Sequence, residues 1–377
     1  MRLKTAAKRR RGLGIASPEL MRLLSKERFR MDYLKFLSEV TTVPGTSGYE
    51  TPVAEVFARA FAPYCDEVTV DHNQSVIAVK RGSGKGPKIM LCAHIDEVGL
   101  MTMNVEEDGS VRFISLGVAA QTLPAQEVNI LCEDGPVYGV IGAVPPHLTG
   151  EDDRDRVTPV EELFIDTGLP YDEVVRRVKP GMPVQLVGRT MMLENEYMVS
   201  KTMDDRACVA IVLDCAQQLH SRQHEADVYY VLSSCEERTS LGAAMAAETI
   251  RPDMAFVLDV THGTMPDCRP GRTFPLDVTP VSCGPNTHRK LAALIKENAR
   301  HLHMKTMDEV ARGTTWTDAW DVQVAGEGVP CVVVSLPLKY MHTTVEVGSA
   351  ATMADQARLL CETVCQMDAG WEETLCF

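Results

Sequence analysis

The sequence predicts an α/β protein: a central, mostly parallel sheet flanked by helices, with a small β-barrel-like domain inserted into it. Three observations support this prediction. Apolar, strand-like runs alternate with helical segments in the second half of the chain, while short β-like runs crowd its middle. Hydrophobic residues make up 45% of the chain but aromatic residues only 6%, which suits a sheet that is buried on both faces.

The chain begins with a basic extension. Residues 2–11 carry six lysines and arginines and no acidic residue, and we expect residues 1–30 to be a disordered tail. Beyond it, hydrophobic periodicity predicts the elements in order. They are a helix from Met31 to Val40, a helix from Glu50 to Ala62, two short strands between Glu67 and Lys80, and an apolar strand from Pro87 to His94.

The middle of the chain has a different character. Residues 100–195 contain short β-like runs bounded by turns, which predict a small β-rich domain inserted into a larger one. The clearest of these runs are Val111–Leu116, Glu127–Cys132, Val137–Ala143 and Pro183–Val187. A helix is predicted between Val157 and Val178. We therefore assign residues 31–99 and 196–377 to the larger domain.

Strands and helices alternate again after residue 196, which argues for a mostly parallel sheet covered by helices. The predicted helices are Asp205–Leu219, Leu241–Ile250, Thr287–His301, Asp318–Ala325 and Ala350–Met367. The predicted strands are Asp227–Ser234, Met254–Val260 and Cys331–Leu336.

The composition argues against several classes of partner. The net charge of −14, from 38 Lys+Arg and 52 Asp+Glu, argues against nucleic-acid and anionic-membrane binding. No apolar run reaches the ~18 residues that span a bilayer. The 12 cysteines are scattered without a C-x-x-C pair, which fits reduced thiols in the cytoplasm. Four of them are expected to be buried core residues: Cys92, Cys208, Cys235 and Cys331.

Five polar segments follow an apolar strand or open a helix, and each contains Asp, Glu or His. They are Ala93–Glu97, Met203–Arg206, Cys235–Glu237, Leu258–His262 and Tyr340–Thr343. If the strands lie side by side, these segments converge, and their acids then need cations to remain ionised. Few lysines or arginines lie nearby in sequence, so a mixed imidazole and carboxylate set favours Zn²⁺, Co²⁺ or Mn²⁺. Two ions that share a carboxylate fit five ligands better than one ion does.

Each segment alone has a more ordinary explanation. A lone His94 is more often a hydrogen-bonded core histidine, and the Glu236-Glu237 pair is more often a solvated helix start. The Asp204-Asp205 pair is a plausible helix N-cap. Only the joint pattern of five segments in order favours a metal site.

These motifs resemble the TET aminopeptidases, a family of two-metal peptidases that includes glutamyl aminopeptidases and proteins once labelled cellulases or Frv-operon proteins. The resemblance runs in family order from about Met31 to the C-terminus. The matching segments are Pro44–Glu50, Ala93–Gly99, Pro145–His147, Leu163–Gly168, Met203–Arg206, Cys235–Glu237, Asp259–Thr261, Thr317–Ala319 and Lys339–His342.

The resemblance implies a role for each site residue. Two divalent ions per subunit, zinc first and cobalt or manganese as alternatives, would be held by His94, Asp204, Glu237, Asp259 and His342. Asp204 would bridge the ions, and the family pattern alone makes its neighbour Asp205 a non-ligand. Asp96 would hold the far ring nitrogen of His94, and Glu236 would be the general base.

The implied reaction is hydrolysis of the N-terminal residue of short peptides. A water between the ions would lose its proton to Glu236 and attack the first peptide carbonyl. The family fold is zinc-peptidase-like, with an inserted β-barrel that makes dimer contacts and with dimers that assemble into a hollow dodecamer. Two alternatives stay open: a related two-metal deacylase or carboxypeptidase, and a catalytically inactive metal-binding scaffold of the same fold.

Two residues depart from the family pattern. Arg238 follows Glu237 where relatives usually carry a small apolar residue, and it could pair with a carboxylate of the site. Trp316 replaces a small residue before Thr317 and would narrow the side-chain pocket if its loop faces the crevice.

Overall fold

A computed structural model of the chain describes residues 31–145, 147–148, 156–269 and 271–375, with Thr374 described by its backbone alone. These residues contain seventeen strands: β1 Glu67–Val70, β2 Val76–Lys80, β3 Lys88–His94, β4 Gly99–Val105, β5 Val111–Leu116, β6 Glu127–Ile130, β7 Val137–Gly142, β8 Phe164–Asp166, β9 Pro183–Leu186, β10 Met191–Met192, β11 Tyr197–Ser200, β12 Asp227–Ser233, β13 Met254–His262, β14 Thr279–Cys283, β15 Thr306–Val310, β16 Cys331–Leu338 and β17 Glu346–Ser349.

The same residues contain ten α-helices: α1 Tyr33–Val40, α2 Thr51–Phe61, α3 Tyr171–Arg177, α4 Met203–His220, α5 Glu236–Thr239, α6 Leu241–Ile250, α7 Arg289–His301, α8 Ala319–Val322, α9 Ala350–Gln366 and α10 Trp371–Leu375. We find no helix among them whose length and hydropathy would let it span a bilayer.

Eight strands form the central sheet, in the order β1-β2-β12-β3-β13-β16-β14-β15. The four middle strands, β12, β3, β13 and β16, are parallel to one another. They are near-continuous apolar runs, and all of β16 is buried, as expected where helices cover both faces of a sheet. The carboxyl ends of these strands therefore meet at one edge of the sheet.

Helices cover both faces of this sheet. The long helix α4 packs on β3 and β13, and α9 packs on α4. On the other face α6 and α8 cover an apolar cluster that includes Cys92, Ala247, Val257, Val322 and Val333. The predicted α/β fold is confirmed.

A closed six-stranded barrel, β4-β5-β8-β7-β6-β9, interrupts the α/β domain directly after β3. Its interior is a cluster of buried apolar side chains such as Leu100, Phe113, Val128 and Ile165. The short strand β8 closes the barrel, because Ile165 pairs with Val111 on one side and with Ile141 on the other. The predicted inserted β-barrel is confirmed, while the predicted domain limits stay a prediction.

The helix predicted between Val157 and Val178 is present but much shorter than predicted. Val160–Glu162 is a single 3₁₀ turn, Phe164–Asp166 is strand β8, and only Tyr171–Arg177 is helical. Proline 170 is the N-cap of that helix, so the helix cannot extend back toward β8. The strand forms because its neighbours β5 and β7 offer it backbone partners that the local sequence does not reveal.

The remaining predicted elements have counterparts near their predicted bounds, although the helix predicted over Asp318–Ala325 is shortened to four residues. Cys92, Cys208 and Cys331 are buried as predicted, whereas Cys235 is only half-buried. All cysteines in the described ranges are free thiols. The predicted disordered tail, residues 1–30, lies outside the described residues.

Candidate metal centre

Three neighbouring strands bring site residues to the same edge of the sheet. His94 is the last residue of β3, and Glu236 and Glu237 open α5 just after β12. Asp259 lies in the adjacent strand β13, level with Ser335 of β16. Because these strands are parallel neighbours, their carboxyl ends gather the four side chains, as is usual for ligand sites in α/β sheets.

Two further site residues come from segments outside the central sheet. Asp204 is the second residue of α4, and its ψ of 102° shows that the regular helix begins only after it. His342 lies between β16 and β17, with a left-handed φ of 62°. Both backbones are therefore irregular where the side chain turns toward the sheet edge.

The carboxylate of Asp204 lies between two imidazoles. Its Oδ1 is 3.2 Å from Nε2 of His94, and its Oδ2 is 3.0 Å from Nε2 of His342. Oε1 of Glu237 is 3.3 Å from the same His342 nitrogen. One carboxylate thus contacts both histidines through different oxygens, as a carboxylate shared by two metal ions would.

Among the described residues, two overlapping groups could hold a metal ion, and within each group the potential ligand atoms all lie within 4.8 Å of one another. One group is His94, Asp204 and Glu237, and the other is His94, Asp205 and Asp259. These groups contain four of the five residues that the sequence singled out, and the fifth, His342, joins them through its contacts with Asp204 and Glu237. The structure also brings in Asp205, whose Oδ2 accepts the backbone N–H of His94 at 3.2 Å. Asp204 nevertheless differs from Asp205 in that it contacts both imidazoles.

Asp96 is fully buried beside this group. Its Oδ1 lies 3.3 Å from Nδ1 of His94. It also accepts the backbone N–H groups of Glu236 at 3.0 Å and Glu237 at 3.2 Å. Besides contacting the histidine, Asp96 thus caps the first turn of α5, a role that the sequence did not reveal.

Glu236 lies at the mouth of the site. Its Oε2 is 3.8 Å from Nε2 of His94, and its side chain is 13% exposed. Burial raises the pKa of this carboxyl group to about 10, and the acids of Asp259, Asp318 and Glu237 act in the same direction. Its place at the mouth of the site, without an ion pair to any lysine or arginine of the described ranges, suits it to proton transfer.

The electrostatics of the group favour bound cations. Burial and neighbouring acids raise the pKa of Glu237 and of Asp259. Burial alone would lower the pKa of His342, yet its close contacts with the carboxylates of Asp204 and Glu237 raise it to about 11. Across the described ranges, no lysine or arginine forms an ion pair with these carboxylates.

The donor set fits divalent metal ions for the same reason. Metal-coordinating imidazoles are neutral, so divalent cations would replace the histidine protons as the positive charge among the acids. In addition, Oε1 of Glu237 is buried without a hydrogen-bond partner, as expected of an oxygen that a cation would satisfy.

Three buried carboxylates support the site although sequence analysis gave them no role. Glu50 accepts the N–H of Cys235 at 3.0 Å, and Asp318 accepts the hydroxyl of Ser233 at 2.5 Å. Glu346 accepts the N–H of His342 at 2.8 Å. Glu50 and Asp318 stand inside matching segments, and an acid in an apolar context is the signal that could have marked Glu346.

The two departures from the family pattern have different outcomes. Arg238 is exposed and forms no ion pair with any described residue, so its expected pairing with a site carboxylate is wrong. Trp316 is 88% exposed, and its effect on the side-chain pocket stays a prediction.

A mostly parallel sheet that gathers imidazoles and carboxylates at the ends of its strands is typical of metal-dependent hydrolases. Comparison with known proteins identifies the family. The family model described as M42 glutamyl aminopeptidase matches residues 74–359, and the chain belongs to this family.

Individual relatives agree with this assignment. The chain is 32% identical over 335 residues to a lysyl aminopeptidase of Pyrococcus furiosus, covering 86% of this chain and 94% of the relative. It is 22% identical over 330 residues to a glutamyl aminopeptidase of Lactococcus lactis, covering 83% and 90%. The chain is therefore a peptide-hydrolysing enzyme of the aminopeptidase type.

Solved structures of TET peptidases share the fold. A TET aminopeptidase from a marine sediment thaumarchaeon superposes with a TM-score of 0.85 at 25% identity, covering 91% of this chain and 98% of that one. The TET1 peptidase of Pyrococcus horikoshii, which can assemble into a tetrahedron or a large octahedral shell, gives a TM-score of 0.77 at 26% identity, covering 89% and 100%. The resemblance stated from the motifs is confirmed.

Proposed function

We propose that this enzyme removes the N-terminal residue of short peptides with the help of two divalent metal ions per subunit. Zinc is the first candidate, and cobalt and manganese suit the same donor set. The observation that carries the proposal is the Asp204 carboxylate, which contacts His94 through one oxygen and His342 through the other.

In this proposal five residues hold the ions. His94 and Asp259 would bind one ion, Glu237 and His342 would bind the other, and Asp204 would bridge them. The bound ions would polarise the scissile carbonyl group and lower the pKa of the attacking water. Asp205 stays outside the set in this proposal because, in the described part of the chain, it forms no ion pair with His342 as Asp204 does, and its Oδ2 instead accepts the backbone N–H of His94.

Glu236 moves the protons. It takes a proton from the attacking water and returns it to the amine of the departing peptide. Its position 3.8 Å from Nε2 of His94 supports this role, because it brings the carboxylate to the same side of the site as the ligands. Asp96 would keep Glu236 in place through the backbone N–H that it accepts.

We further propose that the enzyme is a cytoplasmic homo-oligomer. The free thiols of the described cysteines support a reducing compartment. TET relatives assemble into closed shells, and by analogy the inserted barrel would make dimer contacts that build a dodecamer.

Metal analysis combined with substrate assays tests the proposal. We expect two divalent ions per subunit, loss of aminoacyl anilide hydrolysis after chelation, and recovery with Zn²⁺ or Co²⁺. Activity that survives complete metal removal would contradict it. Faster cleavage of N-acetylated peptides than of free-amine peptides would favour the deacylase or carboxypeptidase, and metal content without any hydrolysis would favour the inactive scaffold.

A further inference from the structure

A buried glutamate joins two segments of the site. Glu346 is the first residue of β17 and is 1% exposed. Its Oε2 accepts the backbone N–H of Met203 at 2.6 Å and of Asp204 at 3.2 Å. Its Oε1 accepts the N–H of His342 at 2.8 Å. A buried acid is rare without partners, and here two of the three donors belong to proposed metal ligands.

The first segment is the start of α4. The N-cap residue Thr202 has a left-handed backbone and makes no side-chain hydrogen bond to the helix. The first N–H groups of a helix need partners from elsewhere, and the carboxylate of Glu346 supplies them for Met203 and Asp204.

The second segment is the loop that carries His342. Tyr340 and His342 both have left-handed backbones, with φ of 58° and 62°. Such conformations persist in residues other than glycine only where the surrounding structure enforces them. The side chain of His342 is 33% exposed, whereas that of His94 is 2% exposed. Packing therefore holds His342 less firmly, and its backbone contact with Glu346 matters more.

We propose that Glu346 is a positioning residue that fixes the positions of Asp204 and His342 relative to each other. It thereby determines the affinity of the ion site that these two residues share with Glu237. One carboxylate fixes the backbone of both ligands, so the 3.0 Å separation between Oδ2 of Asp204 and Nε2 of His342 depends on it. This inference rests on the two-metal function proposed above. It predicts the larger effect on the ion held by Glu237 and His342, because the other ion, held by His94 and Asp259, depends on Glu346 only through the shared Asp204.

Metal titration of the variant Glu346→Gln tests the inference. The amide keeps the size of the side chain but turns an NH₂ group toward backbone donors, so one of the two segments loses its acceptor. We expect the metal-stripped variant, titrated with Zn²⁺ in equilibrium dialysis, to lose much less affinity for the first ion than for the second. The second ion should bind about 10- to 100-fold more weakly, which is the usual cost of removing a hydrogen-bond partner of a metal ligand.

A local readout separates positioning from catalysis. In the metal-free protein, hydrogen–deuterium exchange of the peptide that covers residues 339–345 should be faster in Glu346→Gln than in the wild type. Exchange in the barrel peptides should be unchanged. Because no metal or substrate is present, this measurement does not depend on turnover.

The matched control is Asp214→Asn. Asp214 is also buried, lies on the same helix α4 and accepts the hydroxyl of Tyr33 at 2.6 Å, but it lies ten residues beyond Asp204. This variant loses a buried carboxylate from the helix without touching the site. It should retain both zinc affinities even if its melting temperature falls.

The outcomes are distinct. Unchanged affinity for both ions in Glu346→Gln would overturn the inference, and so would an equal loss at both sites, whether or not Asp214→Asn reproduces it. If Glu346→Gln does not fold, Glu346→Asp serves instead, because it keeps the charge but is too short to reach both segments and should show the same selective loss. A wild-type protein that binds fewer than two ions would contradict the proposed function instead.

Discussion

The sheet edge and the inserted barrel bury opposite kinds of side chain. The barrel interior is an apolar cluster around residues such as Leu100, Val128 and Ile165. The sheet edge instead buries acids and imidazoles, including His94, Asp204 and Asp259. Burying a charged group costs free energy unless a partner of opposite charge or hydrogen bonds compensate it. The buried acids and imidazoles at the sheet edge are therefore explained by function and not by their contribution to stability.

The two regions are also held in shape by different interactions. Strand pairing and apolar contact define the barrel, where Ile165 pairs across both neighbouring strands. At the sheet edge, buried carboxylates accept hydrogen bonds from the backbone of the candidate site residues. Asp96 accepts the N–H of Glu236, and Glu346 accepts the N–H of His342. Substitutions in the barrel should therefore change stability, and substitutions at the edge should change function.

The strongest test of this contrast is Glu236→Gln. We expect kcat to fall by about 10²- to 10⁴-fold, because the substitution removes proton transfer and little else. Steady-state hydrolysis of an aminoacyl anilide measures the loss. Metal content should stay at the wild-type value, and the melting temperature should not fall, because the variant no longer buries an ionisable group.

Undiminished turnover in Glu236→Gln would refute the assigned base. Loss of metal together with activity would make Glu236 a ligand and not a base. Metal analysis on the same protein sample distinguishes these two results.

The opposite effect is expected in the barrel. Ile165→Ala should cost about 2–5 kcal/mol of unfolding free energy, since it leaves a cavity at a fully buried position between two strands. Urea denaturation measures the cost, and Ile165→Val should cost about 0.5–1.5 kcal/mol. The folded fraction of either variant should keep the wild-type kcat. A drop in kcat comparable to that of Glu236→Gln would show that the two regions are not separable in this way.

The contrast also explains what the sequence could and could not predict. Apolar periodicity located the strands of the sheet, and polar segments after them located His94, Glu236 and Glu237. Strand β8 was not predicted, because its pairing with Val111 and Ile141 is long-range and competes with a local sequence pattern that favoured a helix.

The role of Glu346 was not predicted for a related reason. Its three partners are backbone N–H groups, two of them more than 140 positions away in sequence, and backbone groups leave no trace in a side-chain motif. The candidate site residues could be proposed from the sequence because their chemistry is in their side chains. The residues that hold them were predictable only in part, as for Asp96, whose contact with the backbone of α5 was not foreseen.

A smaller effect should follow from removing an exposed ion pair of the α/β domain. Arg222 donates two hydrogen bonds to Glu362, at 2.7 and 2.9 Å, and about a third of each side chain is exposed (36% and 33%). Screening by water limits the contribution of such a pair, and Arg222→Ala should cost about 1 kcal/mol or less. Urea denaturation at low and high salt measures it, and high salt should reduce the difference.

The pH dependence of this pair has a defined sign. The hydrogen bonds from Arg222 lower the pKa of Glu362 from its ordinary value. The stability of the pair is therefore present above the ordinary glutamate pKa of about 4.3 and is lost as the pH falls through the lowered value. A cost that grows on acidification, or one well above 2 kcal/mol at pH 7, would contradict this account.

The smallest effect is expected for Arg238→Ala, although Arg238 directly follows a proposed metal ligand. Its side chain is exposed, and within the described ranges no carboxylate lies within 4 Å of its guanidinium group. Removing such a side chain usually changes free energies by less than about 0.5 kcal/mol, so kcat/KM should change by less than about threefold. Anilide hydrolysis and zinc titration of the same variant measure both quantities. A tenfold change with altered zinc affinity would mean that Arg238 does reach a site carboxylate. The distinction between buried charged residues, whose substitution changes function, and exposed ones, whose substitution does not, would then fail directly beside a proposed metal ligand.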